Sequence, residues 1–361
     1  MRDEPDMGKG WAAAWRRFAH ALAPLALACV VWLGVPAHAR AAEIAPDLIA
    51  AAKKEGRVTF YTPLIVDQIA RPLTAAFRAK YGIEAEFLRM DSDAVVLRIL
   101  NEYRAKRGLA DVFTTSLGIE ALVKSGAARK FRSAAADALP DGFKDPNGFW
   151  VADRVYVLEP AVNTNLVAEA DYPKSLSDLL APKWAGKIVW RPNNLTGATG
   201  FIGNVLLGMG EDKGMDYLRK LARQRVISLQ TSDRAVLDQV IAGEYSLALA
   251  MTNHNVEISR KEGAPVAWMP LAPTIIFSEQ MGVTALGPHP NAGLLFLEYT
   301  MSREGQELFR NAGYIPARSD VPPLNPKLLP AANGLRYRVA TPGIVAKNRK
   351  HWDDVYRELF R

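Results

Sequence analysis

Five short stretches carry the side chains best suited to hold a small polar solute. They are Tyr61-Thr62, Asp91-Ser92-Asp93, Thr114-Thr115-Ser116, Thr196-Gly197-Ala198-Thr199 and Thr231-Ser232-Asp233. Each follows an apolar run or opens an amphipathic one, which places it at a strand end or a helix start. Hydroxyl and Asx side chains there accept from the first backbone N–H groups of a helix. The same N–H groups bind anions, and one helix end can do both. Tyr61, Thr62, Ser92, Thr115, Ser116, Thr196, Gly197, Ala198, Thr199 and Ser232 are therefore candidate ligand contacts. Four arginines lie near these stretches: Arg89, Arg154, Arg191 and Arg234. A guanidinium forks two donors onto a carboxylate or phosphate, and Arg191 ends the apolar run that precedes the Thr196 stretch. Together the arginines point to an anionic ligand, although each taken singly would serve as well in an ion pair.

Other chemistries find less support. Residues 196–203 read TGATGFIG, which resembles the dinucleotide fingerprint of extended short-chain dehydrogenases. Such a fingerprint must follow its strand directly and open the helix. Here residues 191–195 intervene after Trp190, and Pro192 bars a continued strand interior. The lysine after Tyr217 comes three residues later, at Lys220, rather than four. An NAD(P)-dependent oxidoreductase is thus a remote alternative. No nucleophile elbow, phosphate-binding P-loop or zinc-protease helix is present. Beyond residue 41 the histidines are His254, His289 and His351, too scattered for a metal signature. No catalytic residue, cofactor or metal is expected.

The elements that must position these groups follow from the periodicity. Residues 58–61, 83–88 and 111–114 read as strands, alternating with helices over 67–81, 93–107 and 119–124. In the helix over 93–107, Val96, Ile99, Leu100 and Tyr103 are expected to face inward. Residues 155–163 look like an extended crossing segment. A second α/β series follows, with strands at 187–190 and 245–251 and helices at 199–209, 215–223 and 235–242. Late strands at 266–269 and 281–286 precede helices at 291–299 and 302–312 and a Pro-rich, then helical, tail. The pattern is α/β with parallel sheets, in two lobes joined by more than one strand.

The chain has 361 residues and a formal net charge of +7. The basic residues are interspersed with acidic ones, which argues against a nucleic-acid stripe. Residues 1–41 read as a cleaved signal peptide. Arg16-Arg17 form its basic region, residues 21–35 its apolar run, and small residues after Pro36 its cleavage site. The single cysteine, Cys29, lies inside that run, so disulfides and thiol chemistry are excluded from the mature protein.

Several segments, in order, resemble the bacterial extracellular solute-binding proteins related to the ferric-ion-binding type. They are Val58-Thr59-Phe60-Tyr61-Thr62, Ala110-Asp111-Val112-Phe113, Asn163-Thr164-Asn165-Leu166-Val167, residues 175–188 (SLSDLLAPKWAGKI), Ala242-Gly243-Glu244-Tyr245 and Ser302-Arg303-Glu304-Gly305-Gln306. The resemblance implies a two-lobed, type II periplasmic binding fold with hinge-connected domains and a ligand cleft between them. The lobes are expected over 42–155, 156–275 and a return over 276–361. It further implies a periplasmic monomer that hands a small solute to an ABC permease, without chemistry and without nucleic acid. Ferric-ion-binding relatives use adjacent tyrosines on the loop after the strand that follows the "GEY" turn. Asn253-His254 stand at that place here, and amide and imidazole are poorer ligands for ferric iron than phenolate. Asn253 and His254 join the candidate contacts, His254 as a donor to an oxyanion or as a packing group. The expected ligand is an anion such as an organophosphate, a phosphonate or another oxyanion, and ferric iron or a ferric complex is the alternative.

Overall fold

The computed structural model describes residues 44–361, apart from 117 and 138. The expected signal peptide and Cys29 lie outside the described residues. In chain order the first series is α1 (Pro46–Glu55), β1 (Arg57–Thr62), a π-turn (Val66–Ala70), α2 (Arg71–Tyr81), β2 (Glu84–Arg89), α3 (Ser92–Arg104), β3 (Val112–Thr115), α4 (Ile119–Ser125), β4 (Ala128–Arg129) and α5 (Ala134–Asp137). The long β5 (Val151–Asn163) leads to β6 (Ile188–Trp190), α6 (Ala198–Met209), α7 (Glu211–Ala222), β7 (Ile227–Ser228), α8 (Asp233–Ile241), β8 (Leu247–Thr252), α9 (Asn253–Lys261) and β9 (Val266–Trp268). The return strand β10 (Thr274–Thr284) is followed by α10 (Pro290–Met301), α11 (Arg303–Asn311), β11 (Ile315–Pro316), β12 (Tyr337–Ala340) and α12 (Pro342–Leu359).

The main strands run in the order β2-β1-β3-β10-β5-β8-β6-β7. In the first lobe β1 lies parallel to β2 and β3, while β10 is antiparallel to β3 and β5. In the second, β6 is parallel to β7 and β8, and β8 is antiparallel to β5. Strand β5 belongs to both: residues 151–157 pair with β10, and residues 158–162 pair with β8. One register shift falls between Glu159 and Ala161 in β5, another between Glu279 and Gln280 in β10. Pro160 sits in the first of these, where a residue without an N–H is tolerated in a strand.

Two main aromatic cores fill the lobes. In the first, Phe60 and Phe77 each sit 5.0 Å from Phe296 between ring centroids. In the second, Trp190, Phe201, Trp352 and Tyr356 are buried together. Trp352 belongs to α12, so the C-terminal helix completes the core of the second lobe. Gly203 on α6 makes this approach possible, since a Cβ there would stand 2.8 Å from the Trp352 ring. On its other side α12 reaches the first lobe, with Arg349 3.6 Å from Asp93.

Three elements differ from expectation. Helix α1 was not anticipated, because Ala52 is its only fully buried side chain and its apolar signal is weak. On α3 the fully buried positions are Val95 and Ile99, while Val96, Leu100 and Tyr103 pack at the edge of that cluster. Strand β10 starts at Thr274 rather than 281, since buried Ser278, Glu279 and Gln280 interrupt its apolar run.

Candidate functional site

The end of β3 and the starts of α3, α6, α8 and α9 supply the groups between the lobes. Ser92 opens α3, and its Oγ lies 3.0 Å from Ser116 Oγ and accepts from the Ser116 N–H at 3.1 Å. Thr115 Oγ1 donates to the Ser92 carbonyl at 3.4 Å. Ser116 in turn donates to Glu279 on β10. Glu279 stands 3.5 Å from Arg154, which also donates to Asp153 at 2.9 Å. Beneath these groups lies Tyr156, fully buried and stacked on Phe277 at 5.6 Å. Its hydroxyl sits beside Ser116 without completing a hydrogen bond. Burial, followed by the charge of Glu279, pushes its pKa well above the usual tyrosine value.

The second lobe brings Arg191 and Asp233. Arg191 lies 3.7 Å from Asp233 and 3.5 Å from Asp91 of the first lobe, so it spans the gap between the lobes. Thr196 donates to Asp233. Burial pushes the Asp233 carboxyl up to about 6, opposed by the Thr196 hydrogen bond and Arg191. His254 is partly exposed as a residue, but its Nδ1 is shut from solvent and has no partner. Its ring lies 4.5 Å from that of Tyr314 and 6.5 Å from that of Tyr156. Desolvation and then the Arg154 charge lower its pKa to about 3, so it is neutral at ordinary pH. For Asp153 burial pushes the pKa up while Arg154 pulls it back.

The structure therefore gathers Ser92, Thr115, Ser116, Arg191, Thr196 and His254 around one centre. Other expected contacts are engaged elsewhere. The Tyr61 hydroxyl donates to Glu102 at 2.8 Å and accepts from Arg98, which ties it to the body of α3. Burial raises its pKa to about 12. Thr62 Oγ1 accepts from the Leu64 N–H at 3.1 Å, a local turn. Ser232 is exposed and caps α8 by accepting from Ala235 N–H. Asn253 is spent on Val157 N–H, its own neighbour's N–H and the Leu328 carbonyl. Thr199 donates to Asp353 of α12 at 2.7 Å.

The TGATGFIG string is structural too. Gly197 and Ala198 N–H donate to the Asn194 and Arg191 carbonyls, which removes two donors that an anion loop would offer. A Cβ on Gly197 would meet the Arg191 carbonyl oxygen at 2.3 Å, so this glycine serves close packing of the loop on itself. The arginines do not form a free cationic patch either. Arg89 faces Asp91, Arg234 faces Asp238, and Arg154 and Arg191 face two carboxylates each.

Sequence reasoning missed Asp153, Tyr156 and Glu279 as site groups, and named Asp233 only as part of the Thr231-Ser232-Asp233 stretch. The signal was there for Glu279: an acid between the apolar runs 275–277 and 281–283, which burial permits only beside partners. Among the described residues, no group of three or more His, Cys, Asp or Glu side chains is arranged to hold a metal ion. Nor, among them, is any helix long and apolar enough to cross a membrane.

Two lobes joined by crossing strands, with helix starts and buried polar groups meeting between them, define a binding protein of the periplasmic type. A sequence model of the bacterial extracellular solute-binding protein family matches residues 108–337, and the chain belongs to that family. Its fold is similar to that of iron-bound HitA from Pseudomonas aeruginosa, with a TM-score of 0.71 at 21% identity, over 84% of this chain and 99% of the other. It is similar to AfuA from Actinobacillus pleuropneumoniae, solved with exogenous fructose-6-phosphate bound, with a TM-score of 0.72 at 22% identity, over 84% and 98%. A Trichodesmium IdiA (FutA) protein in complex with iron and citrate gives a TM-score of 0.68 at 19% identity, over 84% and 99%. The protein is a solute-binding component of an ABC import system, and its family is periplasmic.

Proposed function

We propose that this protein is exported by its N-terminal segment and captures a small anionic solute by closing its two lobes, then hands it to an ABC permease. The observation that carries this reading is that six of the twelve buried side-chain polar atoms without hydrogen-bond partners among the described residues belong to the crossing strands and to the second-lobe elements that meet them. They are Arg154 Nε, Tyr156 Oη, Asp233 Oδ1, Thr252 Oγ1, His254 Nδ1 and Glu279 Oε2. Buried polar groups are ordinarily paired, so six such atoms around one cleft are what a bound solute would satisfy. Ser92, Ser116, Thr196, Arg191 and His254 are the contacts we assign to it. One moving body comprises residues 44–155 with the return over 276–341. The other comprises 156–275 with α12 packed on it.

We further propose that the protein acts as a monomer, binds no nucleic acid and turns nothing over. A thermal-shift screen tests the reading, using phosphate esters, phosphonates, sulfate, carboxylates, polyamines, thiamine and ferric citrate. A ligand at a hundred times its Kd adds roughly 2.7 kcal/mol, and small-angle scattering should then show compaction. Stabilisation by none of the anions would overturn the anionic reading, and NADH turnover would overturn the non-enzymatic one. Ferric citrate is in the screen because two of the similar structures hold iron. Against it, the tyrosine-pair place is filled by an amide whose oxygen already accepts twice and by a boxed, neutral imidazole.

A further inference from the structure

The groups on the cleft floor are not the set that a bare oxyanion needs. An oxyanion offers acceptors only, so its partners must be donors. Two of the unpartnered buried atoms, Glu279 Oε2 and Asp233 Oδ1, are carboxylate oxygens, which accept when ionised. They come from different elements, the crossing strand β10 and the start of α8. Glu279 accepts from the Ser116 hydroxyl and Asp233 from the Thr196 hydroxyl, two of the contacts assigned to the solute. Glu279 is 5% exposed and Tyr156 0%, so water does not readily satisfy either. Nor is the floor cationic. Arg154 is matched by Asp153 and Glu279, and Arg191 by Asp91 and Asp233.

We infer that the solute carries N–H or O–H donors alongside its anionic head, as in a hydroxylated or amino-bearing phosphate ester, phosphonate or carboxylate. The inference rests on the capture reading above. The anionic head meets the serine and threonine hydroxyls with Arg191, and the donors meet Glu279 Oε2 and Asp233 Oδ1. The Tyr156 hydroxyl, which both donates and accepts, serves either end.

Isothermal titration calorimetry on the full mature chain tests this with matched pairs. Glycerol 3-phosphate is compared with propyl phosphate, and 2-aminoethylphosphonate with ethylphosphonate. Sulfate and inorganic phosphate serve as bare oxyanions. In at least one pair the donor-bearing member should bind tighter by about tenfold to a hundredfold, the range of a charge-assisted hydrogen bond. Glu279→Gln and Asp233→Asn should each narrow that ratio, since each weakens the donor-bearing member more than its donor-less partner. Two variants on separate elements are used so that one folded protein remains if the other fails to fold. Equal affinities within both pairs, or a ratio that survives in both folded variants, would overturn the inference and leave anion capture standing. Binding of none of the six compounds would overturn anion capture, and the inference with it.

Discussion

Asp233 gives a prediction whose sign and size follow from its position. Its carboxyl titrates at about 6 in the folded chain against an ordinary value of 3.8. The gap is about two pH units, or about 3 kcal/mol at 1.36 kcal/mol per unit. Because the folded-state pKa is the higher one, the native chain binds more protons than the unfolded chain between these values. Stability therefore falls as pH rises from about 4 to about 6, and the cost is fully present above that. Asparagine cannot ionise and escapes this cost. The difference in unfolding free energy, Asp233→Asn minus wild type, should rise by up to about 3 kcal/mol between pH 4 and pH 7. The side chain is 16% exposed, which makes that figure an upper bound. Urea denaturation at a series of pH values measures it. Asp153 and His254 titrate in both proteins and cancel in the difference. A difference curve that is flat or falls over this range would refute the reasoning.

His254 should act in the opposite sense. Its pKa is lowered from 6.5 to about 3, so stability is lost as pH falls below about 6.5, and His254→Phe should flatten that acid limb in the same denaturation series. Gly203→Ala should cost about 1–3 kcal/mol by overpacking against Trp352, visible as a lowered urea midpoint with unchanged slope. Arg191→Ala should weaken binding of whichever anion the screen identifies by about tenfold or more, as expected for loss of a charged hydrogen bond; unchanged affinity by calorimetry would remove Arg191 from the site. Arg349→Glu sets like charge against Asp93 and Asp353, and should open the apo form in scattering experiments at low salt with the effect fading as salt rises.

The alternation of strands and helices was legible because both lobes bury one face of each element, and burial writes a period into the sequence. The crossing segment was legible from residues 155–163, which are apolar throughout apart from Glu159 and Asn163. What escaped was polar and buried at once. Glu279 and Gln280 break the apolar run of β10, so residues 274–280 of that strand are not legible, and the acid at the floor is lost with them. Loop hydroxyls were easier to find but harder to interpret. Ser116 and Thr196 do face the centre, whereas Ser232 is a cap and Thr62 a turn, and spacing alone does not separate these roles. Tyr61 was misplaced because a strand's last residues point to alternate faces, and its ring falls on the side of α3. The four arginines suggested charge, but charge depends on neighbours that only the fold brings near.

The crossing ribbon has a mechanical consequence. Its register breaks at Glu159/Ala161 and again at Glu279/Gln280. Between these breaks the run from Glu279–Arg154 to Ile276–Val157 stays in unbroken antiparallel register. A stiff link with a joint at each end lets the far sheet slide as well as turn, since the joints can bend in opposite senses. Glu279 stands at one of those joints. On the proposed capture reading, a solute that grips its carboxylate grips the pivot itself, so that one contact would both hold the solute and lock the linkage.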